Sequence, residues 1–226
     1  MAKVGIFGSD EQIDVANVYC IGKNYVEHIK EFDDSKGEIP EEPIIFLKPN
    51  TSVVCDSVTV GIPEFKGKKI SDNLQNEVEL VIVIGKDGVK IEENNTDNYI
   101  FGYAAGIDFT LRDVQSEMKK KGLPWALSKG FIGSAPVTKI KKKEDIENPQ
   151  NLKIKLSING IVKQDSNTSL MIFNNRYLVY YISHIFGLRK GDLIFTGTPA
   201  GITKLNIWDT VKAEIENIGE LNIEVI

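Results

Sequence analysis

Two acidic residues stand at the start of an apolar segment, residues 76–85, which reads NEVELVIVIG. Side chains of a strand alternate between its two faces, so we expect Glu77 and Glu79 to lie on the same face. Like charges at the end of a core strand are unfavourable unless a cation compensates them. The pair therefore has two interpretations, a solvated strand end held by salt bridges or part of a cation site.

A third carboxylate favours the cation site. Asp108 ends the apolar stretch FGYAAGID, directly before a predicted helix, and junctions of this kind often carry functional side chains. Three convergent carboxylates without a neighbouring thiolate or imidazole are typical of a site for Mg²⁺ or Mn²⁺. Zinc would favour His or Cys, and the chain has two of each.

One histidine has a carboxylate at helical spacing. His28 and Glu31 are three residues apart, so on a helix their side chains share one face. A carboxylate beside an imidazole raises its basicity and fixes its tautomer, as a general base requires. The same spacing is also typical of a surface ion pair on a short helix.

In contrast, we expect His184, in the apolar segment YLVYYISHIFG, to be a core histidine. From its neighbours in WALSKG alone, Lys129 is expected to be an exposed lysine.

Strand patterns predominate along the chain. The predicted strands comprise residues 17–21, 44–47, 77–84, 99–107, 152–158, 161–164, 192–196 and 210–215. Asn159-Gly160, between two of these segments, predicts a tight hairpin. Many strands without regular alternation of strand and helix predict an α+β, mainly β fold, in a single domain over residues 1–226.

Helical periodicity is confined to short segments. The predicted helices comprise residues 24–32, 110–121 and 176–186. Asn24 with Glu27, and Thr110 with Asp113, have the spacing of a capping box. The polar, turn-rich residues 33–42, DDSKGEIPEE, are expected to form a mobile loop.

Composition excludes several classes of function. The net charge of −5 over 226 residues offers no basic surface, so we expect no nucleic-acid partner. No segment approaches the roughly 18 consecutive apolar residues of a membrane span, and the first residues lack the apolar core of a secretory signal. Two cysteines do not make a disulfide framework, which predicts a cytoplasmic location.

Six segments follow one another from about residue 17 to the C-terminus: YCIGKNYVEHIKEF, PIIFLKPNTSV, NEVELVIVIGK, GYAAGIDFTLRDVQSEMKKKGLPWALSKGF, NGIVKQDSNTSLMIF and GDLIFTGTPAGI. With these motifs the chain resembles the fumarylacetoacetate hydrolase family, in particular its short single-domain group of acylpyruvate hydrolases and oxaloacetate decarboxylases. The resemblance implies a mixed β-sandwich roll with a few helices and a short N-terminal lid helix. It also implies a homodimer.

The resemblance assigns roles to residues that match the family's motifs. The implied ligands of Mg²⁺ or Mn²⁺ are Glu77, Glu79 and Asp108. The implied catalytic residues are Lys129 and the pair His28 and Glu31, carried by a lid that orders over the substrate. The implied substrate contacts are Arg112, Gln115, Lys129 and Thr198. The chain departs from the family at Gln75-Asn76, where relatives often carry His directly before the first metal-binding Glu.

The implied substrate is a small 2-oxo acid that chelates the metal, which polarises the 2-oxo group and stabilises an enolate. With an acylpyruvate, His28, oriented by Glu31, would activate water for hydrolysis of a C–C bond. With oxaloacetate, decarboxylation would need no attacking water. Keto–enol tautomerisation of oxaloacetate and isomerisation of 2-hydroxyhepta-2,4-diene-1,7-dioate are alternatives, as is an oxo-acid-binding sensor that is not an enzyme.

Overall fold

The computed structural model describes residues 2–31, 38–56 and 58–226. The strands are β1 (Lys3–Gly5), β2 (Gln12–Asp14), β3 (Val18–Gly22), β4 (Ile44–Lys48), β5 (Val53–Cys55), β6 (Val58–Val60), β7 (Glu64–Phe65), β8 (Lys68–Lys69), β9 (Leu74–Gln75), β10 (Val78–Ile84), β11 (Ile100–Ile107), β12 (Thr110–Leu111), β13 (Ala135–Val137), β14 (Lys141–Lys142), β15 (Lys153–Ile158), β16 (Ile161–Asn167), β17 (Leu193–Phe195), β18 (Thr210–Ile215) and β19 (Gly219–Val225). The α-helices are α1 (Val26–Lys30), α2 (Arg112–Lys121), α3 (Ala126–Lys129) and α4 (Asn175–Ile185). Short 3₁₀ turns lie at Asn50–Ser52, Glu93–Asn98, Lys143–Asp145 and Thr168–Leu170.

Two sheets form the framework of the molecule. The larger sheet runs in the order β4-β3-β17-β10-β11-β13-β5, and the second runs in the order β16-β15-β18-β19-β6. Leu80 and Ile82 from the larger sheet and Leu156 and Leu221 from the second belong to one buried cluster. The two sheets therefore pack face to face over a common core. The prediction of a mainly β fold with few helices is confirmed.

Strand β10 lies inside the larger sheet, antiparallel to both β11 and β17, and all of its residues are buried. Its even-numbered residues, among them Leu80 and Ile82, face the core between the sheets. Val81 and Val83 face the other side, where they pack with apolar residues of the N-terminal strands. The alternation expected from the sequence is present, with both faces covered.

The predicted hairpin turn is confirmed, and helix α2 ends where its predicted range ends. Asn159 and Gly160 both have positive φ, 51° and 78°, as a tight hairpin between β15 and β16 requires. Helix α2 ends at Gly122, whose left-handed conformation lets its N–H bond back to the last turn.

Both predicted capping boxes are wrong. Helices α1 and α2 begin after Tyr25 and Leu111, and neither has a side-chain cap. The Asn24 amide instead donates to the Phe173 and Thr196 carbonyl oxygens, 3.0 and 2.7 Å away. Tertiary partners thus bind a side chain that local spacing assigned to a helix end.

The C-terminal end of α4 is less buried than its apolar composition predicts. His184 is half-buried rather than in the core, with Nδ1 2.9 Å from the Tyr180 carbonyl oxygen. Ile185 and Phe186, which follow it, are exposed. Half of the predicted mobile loop, residues 33–37, and the predicted end of the first helix, residue 32, lie outside the described residues. Within the described ranges, no helix has the length and apolar character needed to cross a membrane.

Candidate active site

Three buried carboxylates meet at one end of the larger sheet. Glu77 directly precedes β10 and Glu79 lies within it, so the two side chains share a face. The register pairs Val78 with Ile107 at the end of β11, which places Asp108 beside Glu77. One ligand oxygen from each acid lies within 4.8 Å of the others. The interpretation as a solvated strand end is wrong, because all three acids are at most 5% exposed.

Glu77 pairs with two cations, and one of them also contacts Asp108. Lys129 Nζ, at the end of α3, lies 2.7 Å from Glu77 Oε2 and 2.6 Å from Asp108 Oδ2, and the Arg112 guanidinium pairs with Glu77 Oε1. Burial alone would raise the pKa of Glu77, but the charges of Lys129 and Arg112 hold that pKa well below its usual range. Burial would likewise lower the pKa of Lys129, and the charges of Asp108 and Glu77 raise it instead. Lys129 is therefore a buried, charged lysine and not an exposed one.

The third carboxylate is held differently. Glu79 Oε2 accepts a hydrogen bond of 2.7 Å from the Gly197 N–H. Burial, and then the negative charges of Asp108 and Glu77, raise the pKa of Glu79 well above its usual value. A buried cluster of this kind is short of positive charge at Glu79, and a hard divalent cation would supply it. The donor set therefore fits Mg²⁺ or Mn²⁺, which Glu77, Glu79 and Asp108 would hold through oxygen.

Gly197 is required where it lies. Its φ of 94° falls in the region that favours glycine, and a Cβ there would come within 2.7 Å of Asn24 Cβ. Only glycine allows the loop after β17 to pass close enough to Asn24 while its N–H donates to Glu79.

The predicted histidine–carboxylate pair is present. His28 Nδ1, on α1, lies 3.1 Å from Glu31 Oε2, and Glu31 Oε1 accepts from the Gly201 N–H at 2.7 Å. Because Nδ1 faces Glu31, a proton exchanged with a ligand would pass through Nε2. His28 is buried, so the pair is not a simple surface ion pair.

A single cavity brings most of the predicted residues together. The predicted site residues along its wall are His28, Glu77, Glu79, Arg112, Gln115, Lys129 and Thr198. Asp108 and Glu31 do not line the cavity, but each contacts a residue that does. Segments far apart in the sequence thus converge on one pocket.

The polar groups of the cavity are already oriented by their neighbours. Arg112 Nε donates to Gln75 Oε1 at 2.7 Å, and its Nη1 donates to Gln115 Oε1. Because Arg112 occupies Oε1 of Gln115, the amide NH₂ of Gln115 is the group that can donate a hydrogen bond to a ligand. Thr198 Oγ1 accepts from Gln164 Nε2 at 2.9 Å, which directs its own proton to another acceptor.

Sequence reasoning missed Gln164, which is fully buried on β16. Its Oε1 accepts from Asn76 Nδ2 at 3.0 Å and from the Val78 N–H at 3.1 Å. Its Nε2 donates to Thr198 Oγ1 and to the Pro199 carbonyl oxygen. Gln164 therefore joins the residues that flank Glu77 to the loop after β17. Asn76, where relatives often carry His, serves as part of this link.

Lys48, at the end of β4, was also missed. It is buried, and its Nζ lies 2.7 Å from Asp108 Oδ1. Its signal in the sequence is a lysine that closes the apolar strand IIFLK directly before Pro49. A fully buried lysine needs a paired charge, and Asp108 supplies one.

Comparison with known proteins now identifies the fold and its family. The family model described as fumarylacetoacetate (FAA) hydrolase C-terminal matches residues 17–226. The chain belongs to the fumarylacetoacetate hydrolase family. Its predicted fold, the mixed β-sandwich roll of that family, is confirmed by solved structures.

Members of the fumarylacetoacetate hydrolase family similar to this chain carry different activities in their names. The oxaloacetate tautomerase FAHD1, mitochondrial, of Bos taurus is 40% identical over 209 residues, covering 92% of this chain and 91% of that protein. The fumarylpyruvate hydrolase of Pseudomonas aeruginosa, solved in complex with Mn²⁺ and pyruvate, is 34% identical with a TM-score of 0.91, covering 99% and 95% of the two chains. The 2-hydroxyhepta-2,4-diene-1,7-dioate isomerase of Mycobacterium marinum is 36% identical with a TM-score of 0.80, covering 95% and 75%. Membership therefore supports an enzyme without selecting its reaction.

Proposed function

We propose that this protein is a Mg²⁺- or Mn²⁺-dependent enzyme acting on 2-oxo acids, which hydrolyses a C–C bond of acylpyruvates, decarboxylates oxaloacetate, or does both. The observation that carries the proposal is the cluster of three buried carboxylates, two of which line one cavity together with His28. The Pseudomonas aeruginosa relative supports it, because that hydrolase is in complex with Mn²⁺ and pyruvate. Pyruvate is the 2-oxo acid that acylpyruvate cleavage releases.

Binding and charge stabilisation follow from the cavity wall. A divalent cation, when bound, supplies a Lewis acid that polarises the 2-oxo group of the substrate. The Thr198 hydroxyl and the Gln115 amide donate to the substrate carboxylate and hold it in place. The Lys129 ammonium stabilises the negative charge that develops on the 2-oxo oxygen.

Hydrolysis uses the histidine pair. His28, held by Glu31 through Nδ1, takes a proton from water through Nε2, and the hydroxide attacks the distal carbonyl of the acylpyruvate. The C–C bond then breaks, its electron pair passes to the pyruvate fragment as an enolate, and a carboxylic acid leaves. The proton held by His28 returns to the enolate, which gives pyruvate. With oxaloacetate, the bond to the distal carboxylate breaks and CO₂ leaves, so no water is activated.

Oxaloacetate tautomerisation is the second candidate, favoured by the relatives from Bos taurus and other sources that bear that name. It requires removal of a proton from the carbon beside the 2-oxo group and its return to oxygen, or the reverse. His28 is placed for this transfer, and no bond between carbons breaks. Isomerisation of an unsaturated dicarboxylate would use the same proton transfer. A non-enzymatic sensor of oxo acids would bind these compounds without converting them.

Parallel assays test these alternatives. Purified protein with Mg²⁺ is incubated with acetylpyruvate and with oxaloacetate, and pyruvate release and the keto–enol absorbance change are followed against protein-free controls. We expect pyruvate from at least one substrate, abolished by extensive chelation. Full activity after chelation would reject the metal assignment, tautomerisation without pyruvate would support the second candidate, and tight binding without turnover would support the sensor.

The variant His28→Ala separates the two cleavage reactions. We expect it to suppress acetylpyruvate hydrolysis more than oxaloacetate decarboxylation, because only hydrolysis needs an activated water. An equal loss of both activities would contradict this division of labour.

Two further expectations stay proposals. We propose a homodimer, which sedimentation equilibrium would show as twice the chain mass of 25.2 kDa. We also propose a cytoplasmic location. The relative from Bos taurus is named as mitochondrial, so the location needs its own test. Imaging of the tagged protein in its native cell provides that test.

A further inference from the structure

Lys48 is a buried cation that the reaction described above does not use. It ends β4, where it pairs with Val18 of β3, and its side chain is fully buried. An ammonium group in a protein interior is costly unless charges and hydrogen bonds compensate it. Lys48 is not among the residues that line the cavity of His28 and Lys129, and the protein groups around it supply the compensating contacts.

The contacts of Lys48 come from separate segments of the site. Nζ donates to the carbonyl oxygen of Phe109 at 3.3 Å, to that of Lys129, and to both the carbonyl and hydroxyl oxygens of Ser134, at 3.1 and 2.9 Å. Ser134 Oγ in turn donates to the Lys129 carbonyl oxygen at 2.7 Å. One ammonium thus joins the start of the segment after β11, the end of α3 and the loop before β13.

Lys48 also lies against a metal-binding candidate. Its Nζ is 2.7 Å from Asp108 Oδ1, whereas Lys129 Nζ is 2.6 Å from the other oxygen, Oδ2. The contact with Oδ1 is an ion pair without hydrogen-bond alignment, and Oδ1 accepts no hydrogen bond from a described residue. The two oxygens of the Asp108 carboxylate therefore contact different lysines, and of these lysines Lys129 lines the cavity.

The two lysines have different tasks when a cation binds. Lys129 Nζ contacts Glu77 and Asp108, two of the three acids that would hold the cation, so it must yield part of this contact. Lys48 does not line the cavity, and it contacts Asp108 through Oδ1, whereas Lys129 contacts Oδ2. Its charge and hydrogen bonds can therefore persist while the contacts of Lys129 change.

We propose that Lys48 is a positioning residue, which fixes the Asp108 carboxylate and the Lys129 backbone so that both groups present their functional atoms to the bound cation and the substrate. The proposal rests on the metal-dependent function proposed above. Groups that orient metal ligands typically affect metal affinity by about 10- to 100-fold, which sets the size of the expected effect.

The test is Mn²⁺ binding to the purified protein by isothermal titration calorimetry, which needs no turnover. The variant Lys48→Met keeps the length of the side chain and removes its charge. We expect a Mn²⁺ affinity at least about tenfold weaker, with a lower kcat and little change in KM. A matched control is Leu221→Ala, a core truncation in the second sheet, which should lower thermal stability and leave Mn²⁺ affinity unchanged.

A second variant keeps the test decisive if Lys48→Met does not fold. Ser134→Ala retains the ammonium and removes one of its acceptors together with the link to Lys129, so we expect a smaller weakening in the same direction. A folded Lys48→Met with unchanged Mn²⁺ affinity would overturn the proposal, as would an unfolded Lys48→Met together with an unchanged Ser134→Ala. If the unaltered protein itself binds no Mn²⁺, the metal-dependent function fails, and the proposal for Lys48 fails with it.

Discussion

The carboxylate centre and the histidine pair meet at one cavity but are built in different ways. Glu79 and Asp108 are almost fully buried on core strands or next to them, and their partners come from distant segments. His28 lies on the five-residue helix α1, and its partner Glu31 has a side chain 29% exposed and a link to the Gly201 N–H. The carboxylate centre is therefore part of the core, whereas the histidine pair is carried by a short helix and is partly exposed at Glu31. Substitutions in the centre should change stability and activity together, and those in the pair should change activity alone.

The largest expected effect is at Asp108. Asp108→Asn keeps the size of the side chain but leaves Lys48 without its partner charge in the interior and Lys129 with Glu77 alone. Breaking a buried ion pair costs about 3–5 kcal/mol, and the metal centre loses one ligand charge. We expect a fall of that order in the free energy of unfolding, measured by chemical denaturation, and loss of measurable metal-dependent turnover.

A matched substitution at an exposed ion pair provides the control. Asp165→Asn removes the partner of Lys153, 3.6 Å away on the second sheet, where both side chains are at least half exposed. The change in the free energy of unfolding should stay below about 1 kcal/mol, with normal turnover. Equal stability losses at Asp108 and Asp165 would show that the carboxylate centre is not coupled to the core.

An intermediate effect is expected at His28. His28→Ala should lower hydrolysis by about 10²- to 10⁴-fold, the usual contribution of a general base. Because α1 is only five residues long and His28 is not one of the three carboxylates, Mn²⁺ affinity and the melting temperature should change little. Steady-state kinetics and calorimetry on the same preparation provide both measurements.

The other histidine of the chain is the control for this substitution. His184→Ala lies on α4, outside the cavity wall, and should leave turnover unchanged. A large loss of Mn²⁺ affinity in His28→Ala would contradict the separation between centre and pair.

The smallest effect is expected at Glu31. In Glu31→Gln the amide oxygen can still accept from the Gly201 N–H, while the charge beside His28 Nδ1 is lost. We expect turnover to fall on the order of tenfold, as for other groups that orient a functional residue, with unchanged stability. A loss as large as that of His28→Ala would mean that Glu31 takes part directly in proton transfer.

Most of the strand framework could be predicted because its signals are local. The period of two in residues 77–84 and the Asn159-Gly160 turn each depend on neighbours in the chain. The capping boxes could not be predicted, because Asn24 bonds to Phe173 and Thr196, and such partners leave no mark in local spacing. The lysines at the site were misjudged or missed for the same reason, since their partners are distant in the sequence.

By itself, the sequence determined which acids could act together: alternation along β10 places Glu77 and Glu79 on one face, and the motifs pointed to Asp108 as their partner. Only the tertiary structure decided which charges balance them. The antiparallel register of β10 and β11 places Asp108 beside Glu77, and the packing of β4 and α3 places Lys48 and Lys129 on either side of it. The physical reason is that a charge can stay in a protein interior only where partners from other segments enclose it, and no local pattern encodes that enclosure.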